Sequence, residues 1–165
     1  MIYIVCGVAG TGKSTIGRQL GDRINLPFYD ADDFHSEANV IKMASGVALE
    51  DADRLQWLQT LSIKIIEWEK TGGAVLACSA LKELYRILLV PFPGLDVKWI
   101  ALEGRKELIL ERLLSRNEHF FTADLLDSQL EIYNRPSNGW VFDVASTPNE
   151  IVSEIVNRLN EVRDV

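Results

Sequence analysis

The stretch Gly7-Val8-Ala9-Gly10-Thr11-Gly12-Lys13-Ser14 follows an apolar run, Ile2–Cys6, and leads into a helical pattern. It is the G-x-x-x-x-G-K-[ST] phosphate loop in the setting that motif requires, a strand before it and a helix after it. Glycines let the backbone turn tightly and aim N–H groups inward at a phosphate. Lys13 brings a mobile positive charge for the β- and γ-phosphates, and the Ser14 hydroxyl is placed to ligate Mg²⁺. The helix that starts at Ser14 and Thr15 adds a dipole favourable to anions. A Gly-rich turn without a ligand is the plain alternative, but the complete pattern with correct flanks predicts nucleoside triphosphate binding over Gly7–Thr15.

Outward from this loop, apolar β-branched runs alternate with helical periodicity. The spacing predicts strands at Ile2–Cys6, Pro27–Tyr29, Ala74–Cys78, Val97–Leu102 and Val141–Val144. Helices are expected over Lys13–Ile24, Asn39–Ala44, Asp53–Lys70, Ala80–Leu89, Arg105–Arg116, Thr122–Tyr133 and Asn149–Val162. This alternation predicts an α/β fold, a five-stranded parallel sheet with helices on both faces. Ligands in such sheets bind beyond the carboxyl ends of the strands, so the residues after each strand carry the functional reading.

The 165 residues are expected to form one domain, without repeats or an interdomain linker. The net charge of −7 argues against general nucleic-acid binding, which needs a positive field. Cys6 and Cys78 sit in strand-like runs with no C-x-x-C pair, which suggests reduced, buried thiols in a cytosolic protein. No leader pattern or membrane-spanning run is seen, so a cytoplasmic location is expected.

After the second strand comes Asp30-Ala31-Asp32-Asp33-Phe34-His35. Three close carboxylates beside a phosphate loop suit a hydrated Mg²⁺ and a proton acceptor, with Asp30 or Asp32 in either role. A solvated, helix-capping turn is the alternative. The third strand ends Cys78-Ser79-Ala80-Leu81-Lys82, without the metal-binding aspartate many phosphate-loop enzymes place there, which shifts the metal role to the Asp30 region. Lys82 and Arg86 lie four apart, hence on one expected helix face, where they could bind an anionic group. Arg112 and Arg116 precede a helix break at Asn117–Phe121 and suit a lid over the triphosphate.

Together these blocks resemble the gluconate kinases (gluconokinases) among the small phosphate-loop kinases. The resemblance is carried by GVAGTGKST at Gly7–Thr15, DADDFH at Asp30–His35 and NVIKMASGVALEDADRLQWL at Asn39–Leu58. CSALKELYR at Cys78–Arg86, SRNEHFF at Ser115–Phe121 and LLDSQLEIYNRP at Leu125–Pro136 complete it. The phosphate loop is generic, whereas K-M-x-x-G…D-x-D-R-x-x-W-L and C-S-A-L-K are far more specific. The resemblance implies an adenylate- and shikimate-kinase-like fold with a substrate segment at about 35–58 and a helical lid at about 112–135. It implies ATP and Mg²⁺ as cofactors, with transfer of the γ-phosphate to the terminal hydroxyl of D-gluconate.

Within that family frame, Lys13, Asp32, Arg112 and Arg116 are assigned to catalysis. Asp32, His35, Lys42, Arg54, Lys82 and Arg86 are assigned to the sugar acid, and Ser14 and water-linked Asp30 to the metal. The resemblance suggests a homodimer. Ala48 and Gln56 depart from family prolines, and Glu118 stands where a glycine commonly precedes H-F-F. The competing enzyme reading, a shikimate kinase, would carry a glycine triplet where Cys78-Ser79-Ala80 stands. A guanine-nucleotide switch would show N-K-x-D, which is absent.

Overall fold

In the computed structural model, which describes residues 1–90, 92–115 and 123–163, five strands form one all-parallel sheet. The strands are β1 (Ile2–Cys6), β2 (Phe28–Asp30), β3 (Ala74–Ala77), β4 (Val97–Glu103) and β5 (Trp140–Asp143), in the order β2-β3-β1-β4-β5. Every residue of β1 and β3 is buried. That explains their continuous apolar sequences, since a parallel strand covered on both faces has no solvent side to alternate toward.

The helices are α1 (Lys13–Ile24), α2 (Glu37–Ala44), α3 (Asp51–Lys70), α4 (Glu83–Leu89), α5 (Lys106–Ser115), α6 (Ala123–Ile132) and α7 (Pro148–Arg163). Helix α1 packs against α7, and α3 against α4. Leu58, Leu61 and Ile65 of α3 are fully buried with Ile4, Leu76 and Leu81. Each such side chain contributes roughly 1.5–3 kcal/mol of hydrophobic stabilisation.

β1 pairs with β3 on one side and β4 on the other, so the chain reverses its order of travel across the sheet at β1. The phosphate loop leaves β1 at this switch point, where open α/β sheets hold their ligands. Gly7 has φ 141°, and a Cβ there would meet the Leu102 carbonyl oxygen at 2.5 Å. No side chain fits between the loop and β4.

Most element ends shift by one to three residues from the sequence reading, and three of the shifts bear on the site. Helix α3 starts at Asp51, because the Asp53 carboxylate accepts the Glu50 N–H at 2.7 Å and closes the first turn. Helix α4 starts at Glu83 instead of Ala80, because Ala80 sits at φ 41°, a left-handed conformation that interrupts a helix. β2 runs on to Asp30, so that carboxylate stands at the end of the strand. Cys6 and Cys78 are free and buried, and burial pushes both thiols up in pKa. Among the described residues no helix is long and apolar enough to cross a membrane.

Candidate active site

Two cavities adjoin at the carboxyl ends of β1, β2 and β3. The smaller, of about 170 Å³, is lined by the phosphate loop with Asp30, Asp32, Cys78 and Ser79. The larger, of about 710 Å³, lies between α2, the start of α3, Lys82 and α6. Its size suits a small ligand. Ala9, Lys13, Asp32 and Ser79 line both. The junction therefore brings a loop backbone, an ammonium, a carboxylate and a hydroxyl to the point where two ligands would meet.

On the loop side, Gly10 (φ 82°) and Gly12 (φ 91°) hold the left-handed turns that curl the backbone around the cavity. The buried Thr11 hydroxyl donates to the Val8 carbonyl at 2.8 Å, bracing the loop from within. Lys13 Nζ donates to the same carbonyl at 3.0 Å. Burial pushes the Lys13 ammonium down in pKa, and the charges of Asp32 and Asp30 pull it back up. A bound polyanion would favour its charged form further.

Ser14 Oγ donates to Asp30 Oδ2 at 2.5 Å, while Asp30 Oδ1 accepts the Asp32 backbone N–H at 3.1 Å. Asp30 thus does two things at once: it caps the short 3₁₀ turn Ala31–Phe34 and meets the loop serine. The helix-capping alternative is met, by a carboxylate that also lines the loop cavity. Asp32 begins the exposed face of that turn and lies 3.8 Å from His35 Nε2.

His35 stacks on Trp57, with centroids 4.4 Å apart and planes 11° apart. The Trp57 indole donates to the Ala31 carbonyl at 2.7 Å, so α3 fixes both the acidic turn and the ring that follows it. Burial, reinforced by the Arg54 charge, lowers the His35 pKa to about 4. At neutral pH His35 is a neutral hydrogen-bonding wall of the larger cavity, not a cation.

The far wall carries the charge. Arg54 donates to the Leu49 carbonyl and to the Tyr85 hydroxyl at 3.2 Å. Among the described residues no carboxylate is ion-paired directly with Arg54, although Asp51 and Asp53 lie within reach of its charge. Lys82, by contrast, is bound by both oxygens of Asp51, at 2.7 and 3.0 Å, and Tyr85 donates to Asp51 at 2.5 Å. The hydrogen bonds from Lys82 and Tyr85 hold the Asp51 carboxyl below its ordinary pKa.

Two of the residues assigned to the sugar acid are not brought to either cavity. Arg86 is buried, donates to the Ala80 carbonyl at 2.7 Å and to Glu83 at 2.6 Å, and lines neither cavity. Lys82 is the N-cap of α4 and its carbonyl accepts the Arg86 N–H at 3.3 Å, but the Lys82 side chain reaches Asp51 while that of Arg86 turns back to Ala80 and Glu83. Arg86 instead pins the left-handed Ala80 turn that presents Ser79 and Lys82. Lys42 lines neither cavity either. It bonds Asp53 at 2.6 Å and ties α2 to the start of α3.

Arg112 also points elsewhere: its guanidinium donates to the Val144 carbonyl at 2.7 Å, although Leu113 beside it lines the loop cavity. Arg116 and Glu118 lie outside the described residues.

Sequence reasoning missed Ser79, Asp51, Tyr85 and Gln129. Asp51 stood in the D-x-D-R block, where its alternation with Asp53 was a usable signal. Gln129 Oε1 accepts the Ala9 N–H at 2.8 Å from 120 residues away, which no local pattern announces.

A family model described as Shikimate kinase matches residues 9–160. A probable gluconokinase of Dictyostelium discoideum is 40% identical over 96% of this chain and 86% of its own length. The gluconokinase of Arabidopsis thaliana is 36% identical over 94% of this chain and 90% of its own. The crystal structure of a gluconokinase from Sinorhizobium meliloti superposes with a TM-score of 0.87 at 32% identity, covering 97% of this chain and 91% of that one. This breadth of identity agrees with Cys78-Ser79-Ala80 standing where a shikimate kinase would carry glycines, and together with the two adjoining cavities it places the chain in the gluconokinase family, on a shikimate-kinase-like fold.

Proposed function

We propose that this protein transfers the γ-phosphoryl group of ATP to the terminal hydroxyl of D-gluconate, giving 6-phospho-D-gluconate and ADP. The observation that carries the reading is the junction of the two cavities at Ala9, Lys13, Asp32 and Ser79. Phosphoryl transfer is mainly positioning and charge stabilisation, and this junction offers both.

The loop amides beyond Gly7 and Ala9, whose N–H groups bond Ser79 and Gln129, hold the triphosphate together with Lys13. Ser14 and Asp30 fit a Mg²⁺ bound mostly through water and phosphate: one hydroxyl and one carboxylate, already adjacent, leave the other coordination positions open. Among the described residues no cluster of three or more His, Cys, Asp or Glu side chains offers a fuller metal cage. When bound, the ion neutralises charge on the β- and γ-phosphates. Asp32 accepts the proton of the attacking hydroxyl as its oxygen bonds to phosphorus and the bond to the β-phosphate oxygen breaks, with the electron pair leaving on ADP. Arg112 adds charge to this site on exchanging the Val144 carbonyl for a phosphate oxygen.

At the other end, Arg54 binds the gluconate carboxylate, since it is the cavity guanidinium without a directly ion-paired carboxylate among the described residues and fits a carboxylate bidentately. The Asp51–Lys82 pair, electrically balanced, offers both an acceptor and a donor to the polyol hydroxyls. Arg54→Ala is expected to raise KM for gluconate by roughly ten- to a hundred-fold, the worth of a charge-assisted hydrogen bond, and to leave ATP affinity nearly unchanged. Steady-state kinetics with each substrate varied in turn checks this. A weakened ATP response instead would place Arg54 in the nucleotide site.

The function itself is tested by ADP release over a panel of gluconate, other aldonic acids, neutral sugars, shikimate and nucleoside monophosphates. Gluconate is expected to give the highest kcat/KM. A clear preference for a neutral sugar or a nucleotide would overturn the reading.

A further inference from the structure

Gln129 lies on α6, at the wall of the larger cavity, and reaches the phosphate loop. Its Oε1 accepts the Ala9 N–H at 2.8 Å. An amide nitrogen can only donate, so this bond fixes which way the glutamine amide faces: the oxygen meets the loop and the Nε2 donors form the other prong. Ala9 is one of the residues shared by both cavities, and Lys13 and Asp32 are others. The Gln129 amide thus lines the larger cavity while being tied to a residue of the junction.

We infer that Gln129 is a catalytic contact to the acceptor, its Nε2–H donating to the oxygen of the attacking hydroxyl while its Oε1 stays on the loop. The inference rests on the kinase reading above. A hydroxyl oxygen has two lone pairs and one proton. With the proton given to Asp32 and one lone pair engaged by Gln129, the remaining lone pair is the one left to attack. Neutral donation suits this place better than a second ammonium would, because it orients the oxygen while drawing off less of its nucleophilicity than a charged donor does. The bond to Ala9 makes this orientation conditional on the loop, so the acceptor is aligned against the same backbone that cradles the phosphates.

The test compares Gln129→Glu with Gln129→Leu at saturating ATP. The glutamate keeps an oxygen for the Ala9 N–H and replaces the donors by a charged acceptor. The leucine removes both contacts. Both variants are expected to lose about ten-fold or more in kcat for phosphoester formation, the upper end of one hydrogen bond's worth. The yield of phosphoester per ADP released is expected to fall below that of the wild type, because water then competes with a poorly aligned acceptor. Thermal melting of both variants reports whether folding is retained. If Gln129→Glu turns over like the wild type and only the leucine variant is impaired, Gln129 merely docks α6 on the loop and the inference fails. It fails equally if kcat drops while the yield per ADP stays at the wild-type value. Should the wild type prefer an acceptor other than gluconate, the gluconate reading falls separately, and the same comparison on that acceptor decides the role of Gln129.

Discussion

Lys13→Ala is expected to lower kcat by about 10²–10³-fold, the typical loss on removing one preorganised donor to transition-state charge. Lys13 Nζ rests on the Val8 carbonyl at 3.0 Å, within the loop that lines both cavities. That is a storage position: the carbonyl is a neutral acceptor, and a phosphate oxygen is a better one. Because charge builds on the transferring group mostly after binding, the variant should lose turnover more than ATP affinity. Rapid-quench turnover alongside a direct nucleotide-binding titration separates the two. Near-normal kcat would show that the loop holds nucleotide without taking part in transfer.

The second large effect is expected at Asp32. Asp32→Asn is nearly isosteric but cannot take a proton, and positioned proton transfer contributes roughly 10²–10⁴-fold. Asp32 lines both cavities, whereas Asp30 is turned to Ser14 at 2.5 Å. The two carboxylates therefore should answer differently. Asp32→Asn lowers kcat with little change in the Mg²⁺ requirement, and Asp30→Asn raises that requirement. A titration of kcat against Mg²⁺ for both variants decides it. Exchanged responses would reverse the two roles, and two unimpaired variants would reduce the cluster to a capping turn.

The parts of this molecule that sequence made legible are those whose physics is local. A buried parallel strand must be apolar throughout, so β1 and β3 announced themselves, and the glycine pattern of the loop follows from backbone conformations that one residue type tolerates. Asp30 and Asp32 drew attention because they follow β2 directly, and Arg54 did so only through the family resemblance. The placement of Arg86 away from both cavities was hidden for the opposite reason. Its role depends on Ala80 adopting φ 41°, a conformation that an alanine does not advertise, and on burial that a charged residue does not suggest. The pairing of Lys42 was hidden because its partner Asp53, eleven residues on, belongs to the capping of another helix. Gln129 was silent because its contact spans 120 residues and depends wholly on tertiary placement.

The account stands most directly on the identity of the product. Incubating the protein with Mg²⁺, ATP and D-gluconate and following the mixture by ³¹P NMR should show a phosphomonoester on the terminal carbon of gluconate, formed one-for-one with ADP. ADP accompanied by inorganic phosphate and no phosphoester, or a phosphoester only when a different acceptor is supplied, would contradict it.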